Sequence, residues 1–347
     1  MTILGIETSC DETAVAVLDI KNPNNITVRA NIVSSQVKLH AKFGGVVPSL
    51  AAREHTKNIR RVFDLALKTA GIRDFKKEVD LIAVTHGPGL GPALLIGIAF
   101  AKSVAMIYNK PLIGTNHMEG HVYSNWIEQE EPVKNIFPAL NLIVSGGHTE
   151  LVLMNDFNKY RLVGETMDDA IGEAFDKVAR LLGLGYPGGP AISKIAIGGD
   201  SARFPLPSPM LKSKNFDFSY SGLKTAVLYL LRDLKEKGAE LDEQTKADIA
   251  ASFQHAATEV LVQKTIRAAK EFEVRTILLS GGVSANKLLR ERLEKAAHDN
   301  DLKYLQPKMM YTTDNAAMIA LAGYFAYRKN KKTAVWRSVD MHANLGF

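Results

Sequence analysis

Two histidines four residues apart, in His117-Met-Glu-Gly-His121, are the sharpest chemical signal in the chain. At positions i and i+4 of a helix both rings leave the same face, so they can share one metal ion. Asn116, directly before them, is a residue type that caps helices, and Glu119 then stands at the third helical position, where a carboxylate has a capping job of its own. The zinc-protease pattern H-E-x-x-H needs its glutamate immediately after the first histidine, and here it comes one residue late. Two ligands do not make a site, and from spacing alone two unrelated histidines remain the alternative. Asp314, in Tyr311-Thr-Thr-Asp-Asn-Ala, stands where a helical pattern begins; it can be aimed into a cleft or simply cap that helix.

Three glycine-rich turns follow apolar runs: His86-Gly-Pro-Gly-Leu-Gly91, Ser145-Gly-Gly-His148 and Ser280-Gly-Gly-Val-Ser-Ala-Asn286. Backbone N–H groups in such turns can approach an anion, and the first and third turns open helices whose N-termini favour phosphate. One such turn is weak evidence; three at strand ends point to a nucleotide site, although none matches the P-loop or the G-x-G-x-x-G fingerprint. Asp11 and Glu12, at the first turn, are candidates to bind a cation or orient a nucleophile, or are ordinary turn acids. Cys10 precedes them, and two adjacent carboxylates disfavour its thiolate, so it is not read as a nucleophile. Asp176 and Lys177 share a helix and belong either to a cleft or to an exposed face.

The elements that must position these residues repeat. Apolar periodicity and turn residues predict strands over 2–7, 13–19 and 26–33, helix 50–70, strand 79–85, helix 91–107 and strand 111–114. From residue 139 the order starts again, with strands 139–145, 149–154 and 160–164, helices near 168–182 and 244–272, strand 275–280, helix 284–298 and strand 302–306. The simplest reading is an α/β protein made of two copies of one βββαβαβ unit, residues 1–115 joined by the C-terminal segment 325–347, and residues 116–324. An insertion at about 183–243 in the second copy is expected to shape the cleft. A single doubly wound sheet is the alternative.

At 347 residues the chain has room for two domains, and 46% hydrophobic with 23% charged residues excludes disordered and fibrous classes. A net charge of +6 permits a polyanionic partner without proving one. No basic stretch precedes an apolar segment at the N-terminus, and the apolar stretch 93–101 is short of the roughly 20 residues that span a bilayer, so a soluble intracellular protein with no membrane partner is expected. The basic run at 329–332 reads as solvated surface.

At these residues the whole chain resembles the tRNA threonylcarbamoyladenosine transferases of the bacterial TsaD type, within the actin-like ATPase and sugar-kinase superfamily. The resemblance is carried by Gly5-Ile-Glu-Thr-Ser-Cys-Asp-Glu-Thr13, Phe43-Gly-Gly-Val-Val-Pro-Ser-Leu-Ala-Ala-Arg-Glu-His55, the histidine pair, Val144-Ser-Gly-Gly-His-Thr149, the segment 172–177, Tyr186-Pro-Gly-Gly189, the segment 216–224, the turn 280–286 and Thr313-Asp-Asn315. It implies two actin-like (RNase H-like) lobes around a central cleft. The activity it implies is transfer of the threonylcarbamoyl group from threonylcarbamoyl-adenylate to the N6 amine of adenosine 37, in tRNAs reading codons that begin with A, with release of AMP.

Carried over by position, His117, His121 and Asp314 match the family's metal ligands, for iron or zinc. Ile143, Val144, Ser145, Gly146, Gly147, Asp176, Gly189 and Asn286 match positions that hold the adenylate, while Asp11 and Glu12 are hypothetical aids to positioning or deprotonating the amine. Archaeal and eukaryotic relatives carry a metal-contacting tyrosine where this chain has Ile143, and an asparagine where it has His148. The segment 43–55 favours the bacterial or organellar branch. That branch implies a smaller paralogous subunit (TsaB-like) and a P-loop ATPase (TsaE-like) as partners beside tRNA, in the cytoplasm, or in the mitochondrial matrix for a processed organellar form. The rival readings are a metallopeptidase, a label these relatives once bore as glycoproteases, an ATPase or kinase of the same superfamily, and a non-catalytic scaffold. Arg53, Lys57, Arg60 and Arg61 are candidate tRNA contacts because they cluster near the expected cleft lip.

Overall fold

The computed structural model of the chain describes residues 1–129 and 134–347. It divides into two compact units, the first comprising Met1–Asn135, Phe157–Lys159 and Pro307–Phe347, the second Ile136–Asp156 and Tyr160–Gln306.

The first unit opens with a meander of β1 (Thr2–Glu7), β2 (Glu12–Asn22) and β3 (Asn25–Ser35). Both its hairpins are antiparallel. A single turn, α1 (Val37–His40), leads to α2 (Pro48–Thr69), which starts on a proline whose missing N–H costs nothing at a first helical position. The one-turn α3 (Phe75–Glu78), capped by Asp74, precedes β4 (Leu81–Gly87), α4 (Gly91–Tyr108), β5 (Leu112–Asn116) and α5 (His117–Tyr123). β4 and β5 add to β1 in parallel, and the sheet order is β3-β2-β1-β4-β5. β1 is almost wholly buried because it is the central strand with helices packed on the sheet.

α4 is apolar over 18 residues with a mean hydropathy of 1.6, a longer run than 93–101. Its Ala93, Leu94, Ile98, Ala101 and Val104 are buried, and the helix packs on α2 and β4. Asn109, left-handed at φ 51°, ends it.

The second unit repeats the plan with β6 (Ala139–Val144), β7 (Thr149–Asp156) and β8 (Lys159–Glu165), then α6 (Ile171–Leu181), α7 (Gly188–Ala196), α8 (Ser221–Glu236), α9 (Glu243–Glu271), β9 (Thr276–Ser280), α10 (Lys287–His298) and β10 (Lys303–Leu305). Its order is β10-β9-β6-β7-β8, the first sheet's order with each strand replaced by its counterpart. Among the described residues these two five-stranded sheets make the α/β fold a duplicated βββαβαβ. The insertion supplies α7, packed on α6 and α9, and α8, packed on the same two helices.

The chain then returns to the first unit with α11 (Ala316–Lys329), buried from Ala316 through Phe325. α11 lies directly on β1 at Gly5, where a Cβ would come within 2.1 Å of the Ala316 carbonyl oxygen. Only glycine permits that approach.

Candidate metal centre

β5 runs straight into α5, so the strand end aims the helix. Asn116 caps it, its Oδ1 accepting from the backbone N–H of Met118 at 2.8 Å and Glu119 at 3.4 Å, while its Nδ2 donates to the Gly346 carbonyl at 2.9 Å. His117 and His121 leave one face of this helix with ring centroids 4.7 Å apart. Asp314 arrives from just before α11; its Oδ1 is 3.5 Å from His117 Nε2 and 3.2 Å from His121 Nε2. One donor atom from each of the three lies within 4.8 Å of the others.

The donor set fits a divalent metal. Neither ring nitrogen of buried His121 has a hydrogen-bond partner, although Asp314 is near. A buried imidazole without partners is costly, and a cation between it and a carboxylate removes that cost. His117 is prepared differently: its Nδ1 lies 2.9 Å from Glu7 Oε2 and 3.2 Å from Ser9 Oγ, which leaves Nε2 towards Asp314. Glu7 is fixed in turn by Thr85 Oγ1 at 2.7 Å. A carboxylate behind a ligating histidine sets its tautomer and raises its basicity. Burial would raise the Asp314 carboxyl, but the two imidazoles hold it well below the usual carboxylate range. Burial opposes charge on His117, yet Asp314 and Glu7 push its pKa well up.

Glu7, which sequence reasoning left unassigned, ends an almost wholly buried strand and is itself fully buried. A carboxylate in that position is itself the signal, because it must be paired where it stands.

Glu119 takes no part in the ligand cluster. It lines a cavity of about 780 Å³ with His86, Asn158 and Lys329, and burial pushes its carboxyl up to about 7. Asp11 and Glu12 lie at the turn after β1. Glu12 accepts from Ser35 Oγ at 2.9 Å, and burial, Asp314 and Asp11 hold its carboxyl well above the usual range. Burial, then Asp11, Asp314 and Glu12, raise the Cys10 thiol in the same way, so a thiolate is disfavoured there. Arg53, Lys57, Arg60 and Arg61 are exposed on α2, with Lys57 paired to Glu54 and Arg60 to Asp64 at 2.8 Å.

The remaining sequence candidates lie in the second unit. Ile143 and Val144 are fully buried in β6, paired with Glu150 and Thr149 of β7, so only backbone is available from them. Ser145 closes the following turn: its N–H donates to the His148 carbonyl at 2.9 Å and its Oγ accepts from the His148 N–H at 3.0 Å. A Cβ at Gly146, Gly147 or Gly189 would meet no atom within 4 Å. The packing of the fold does not demand glycine at these three positions. Asp176, raised by burial, accepts from the Gly188 N–H at 2.6 Å. Asn286 spends its side chain within the protein: Oδ1 caps α10 through the Leu289 N–H at 3.0 Å, and Nδ2 donates to Gln254 Oε1 at 2.9 Å and Ser193 Oγ at 3.0 Å.

A family model described as TsaD, tRNA N6-adenosine threonylcarbamoyltransferase, matches residues 27–321. Over 329 residues the sequence is 50% identical to the tRNA N6-adenosine threonylcarbamoyltransferase of Thermosipho africanus, covering 95% of each chain. Over 335 residues it is 48% identical to the enzyme of that name from Bacillus subtilis, covering 96% of this chain and 93% of that one. Component A of the (R)-2-hydroxyglutaryl-CoA dehydratase of Acidaminococcus fermentans is similar in fold alone, with a TM-score of 0.52 and 14% identity over 94% of this chain and 99% of that one.

Proposed function

The chain belongs to the tRNA N6-adenosine threonylcarbamoyltransferase family, and from that premise we propose which of its residues serve the transfer. It is a transferase of the actin-like fold whose substrate is tRNA. The donor in this reading is threonylcarbamoyl-adenylate and the acceptor is the N6 amine of adenosine 37 in tRNAs that read codons beginning with A. The amine attacks the carbamoyl carbon, the bond from that carbon to the phosphate oxygen breaks, and AMP leaves.

The observation that carries the reading is the cluster of His117, His121 and Asp314, in which the Nε2 atoms of both rings are turned to Asp314 Oδ1. These three residues would hold one iron or zinc ion, which when bound supplies a Lewis acid for a carbamoyl or phosphate oxygen. Glu7, accepting at His117 Nδ1, leaves Nε2 as the nitrogen that would face the ion. Asp11 and Glu12, at the turn after β1, help to position or deprotonate the amine. The backbone around Gly146, Gly147 and Gly189 binds the adenylate phosphate, where negative charge collects as AMP departs; Ile143, Val144 and Ser145 hold that turn in place. Asp176 and Asn286 act one step behind, fixing Gly188 and the start of α10.

In this reading the protein works in the cytoplasm with a smaller paralogous subunit and a P-loop ATPase. The test is a cell extract depleted of this protein but retaining its partners, supplied with unmodified tRNA and threonylcarbamoyl-adenylate and read by nucleoside mass spectrometry. Added protein restores the modification, and His117→Ala with His121→Ala does not. Equal restoration by both overturns metal-assisted transfer in favour of a scaffold; restoration by neither, with an active relative as control, overturns the transfer reading for this chain.

A further inference from the structure

We infer that Gln36, His40 and His55 are positioning residues, a one-way relay of hydrogen bonds that ties the Cys10 carbonyl, at the turn bearing Asp11 and Glu12, to the backbone of the loop at 43–47. The inference rests on the reading of Asp11 and Glu12 given above for its effect on rate, but not for its geometry.

Both histidines are fully buried and Gln36 is nearly so. Three groups whose roles cannot change fix every proton in the chain. The Ala51 carbonyl can only accept, and Gln36 Nε2 lies 3.3 Å from it, so the amide nitrogen of Gln36 faces that way and its Oε1 faces His40. His40 Nε2, 3.1 Å from Gln36 Oε1, must therefore carry a proton. His40 Nδ1 is left with a lone pair, which accepts the Val47 N–H at 3.3 Å. At the other end the Cys10 carbonyl can only accept, so His55 Nε2, 3.0 Å away, carries a proton. His55 Nδ1 then accepts from Thr13 Oγ1 at 2.8 Å and Gln36 Nε2 at 3.4 Å. The direction runs without a break from the Val47 N–H through His40, Gln36 and His55 to the Cys10 carbonyl. A second proton on His40 Nδ1 would face the Val47 N–H, and one on His55 Nδ1 the Gln36 amide, while burial lowers the His55 pKa.

The relay ends where it matters for the site. The Gln36 N–H also donates to the Asp11 carbonyl at 2.9 Å, and Ser9, one residue before Cys10, touches His117. The start of the relay is different in kind: Phe43 is 62% exposed and Gly44 is left-handed at φ 69°. A buried polar chain satisfied at every member fixes one arrangement of its neighbours, because any slip orphans a buried group. Here it holds the backbone of the two acids against a loop that faces solvent.

The experiment uses the full chain loaded with zinc and labelled with 15N at histidine. Long-range proton–nitrogen spectra, assigned with single-histidine variants, should show both His40 and His55 as neutral Nε2–H rings at pH 7.5. An Nδ1–H or doubly protonated pattern at either ring overturns the relay, whatever the protein's activity. In the extract assay His55→Leu and Gln36→Leu should lower kcat about tenfold with KM for tRNA and zinc content unchanged, and His55→Gln, which keeps a donor towards Cys10, should recover part of the loss. A folded His55→Leu with full kcat, or one whose loss follows its zinc content, overturns the positioning role. Should the leucine variants not fold, Gln36→Met deletes the amide bonds of the relay with an unbranched side chain of similar length, and a folded Gln36→Met with full kcat overturns the positioning role equally. A wild-type chain that shows the two tautomers but transfers nothing overturns the functional reading and leaves the relay standing.

Discussion

Glu7 Oε2 sits 2.9 Å from His117 Nδ1, and both side chains are buried. The pair decides which nitrogen of His117 faces Asp314, so the end of a central strand sets the chemistry of a helix more than a hundred residues later. Replacing Glu7 with glutamine keeps the shape but puts a donor among donors, since the Ser9 N–H and Thr85 hydroxyl also point there. Glu7→Gln should weaken metal binding about 10- to 100-fold, measured by competition with a chelator of known affinity.

Removing a ligand is a coarser change. His121→Ala or Asp314→Ala should purify with less than a tenth of the metal of the wild-type chain by elemental analysis. Added metal should raise Tm for wild type and leave both variants unmoved, because stabilisation by a ligand follows its affinity for the folded state.

The cap of α5 gives a prediction about stability. Asn116 serves two backbone N–H groups of a seven-residue helix and the Gly346 carbonyl at once. Asn116→Ala should cost about 1–2 kcal/mol in denaturant melts. The same change should loosen metal binding, because the ligand histidines stand on the first two turns.

The elements that sequence reading placed best are those with strong apolar runs. β1 and β9 were anticipated within a residue, and the repeated strand order followed from them. The extent of α4 was legible too: a helix over 91–107 was expected and Gly91–Tyr108 is found, ended by the left-handed Asn109. At the site, the i, i+4 spacing made the histidine pair visible, but nothing local to Asp314 announces its neighbours. They meet because α11 lies on β1 at Gly5, a tertiary contact that no window of sequence encodes. Glu7 escaped for a related reason: its side-chain partners, Thr85 and His117, are both distant in the chain.

Glu150 carries a pH prediction. Its Oε2 is buried without a hydrogen-bond partner, and burial, with Glu165 nearby, raises the carboxyl to about 7. An acid whose folded pKa lies above its unfolded value takes up a proton on folding, so its contribution to stability is fully present below about pH 4.5 and is lost as pH rises through about 7. The loss is at most about 3 kcal/mol. Glu150→Gln should therefore melt higher than wild type at pH 8 and show no gain at pH 5 in thermal scans.

Gly146 separates packing from binding. Because a Cβ there meets nothing, Gly146→Ala should change stability by no more than about 0.5 kcal/mol while raising KM for the adenylate in the transfer assay. A loss of stability without a change in KM would return this glycine to the fold.

The first unit is built from distant stretches of the chain, and this dictates when its candidate metal centre can be assembled. His117 and His121 leave the ribosome early, yet their third companion is about 190 residues behind them, and at roughly 5–20 residues per second that is a delay of about 10–40 s. During that interval the nascent chain displays β1 without the helix that covers it and a histidine pair without its aspartate. In the proposed reading metal capture is thus one of the last events of biogenesis, and a chain truncated anywhere before Asp314 lacks the third of the three donor residues.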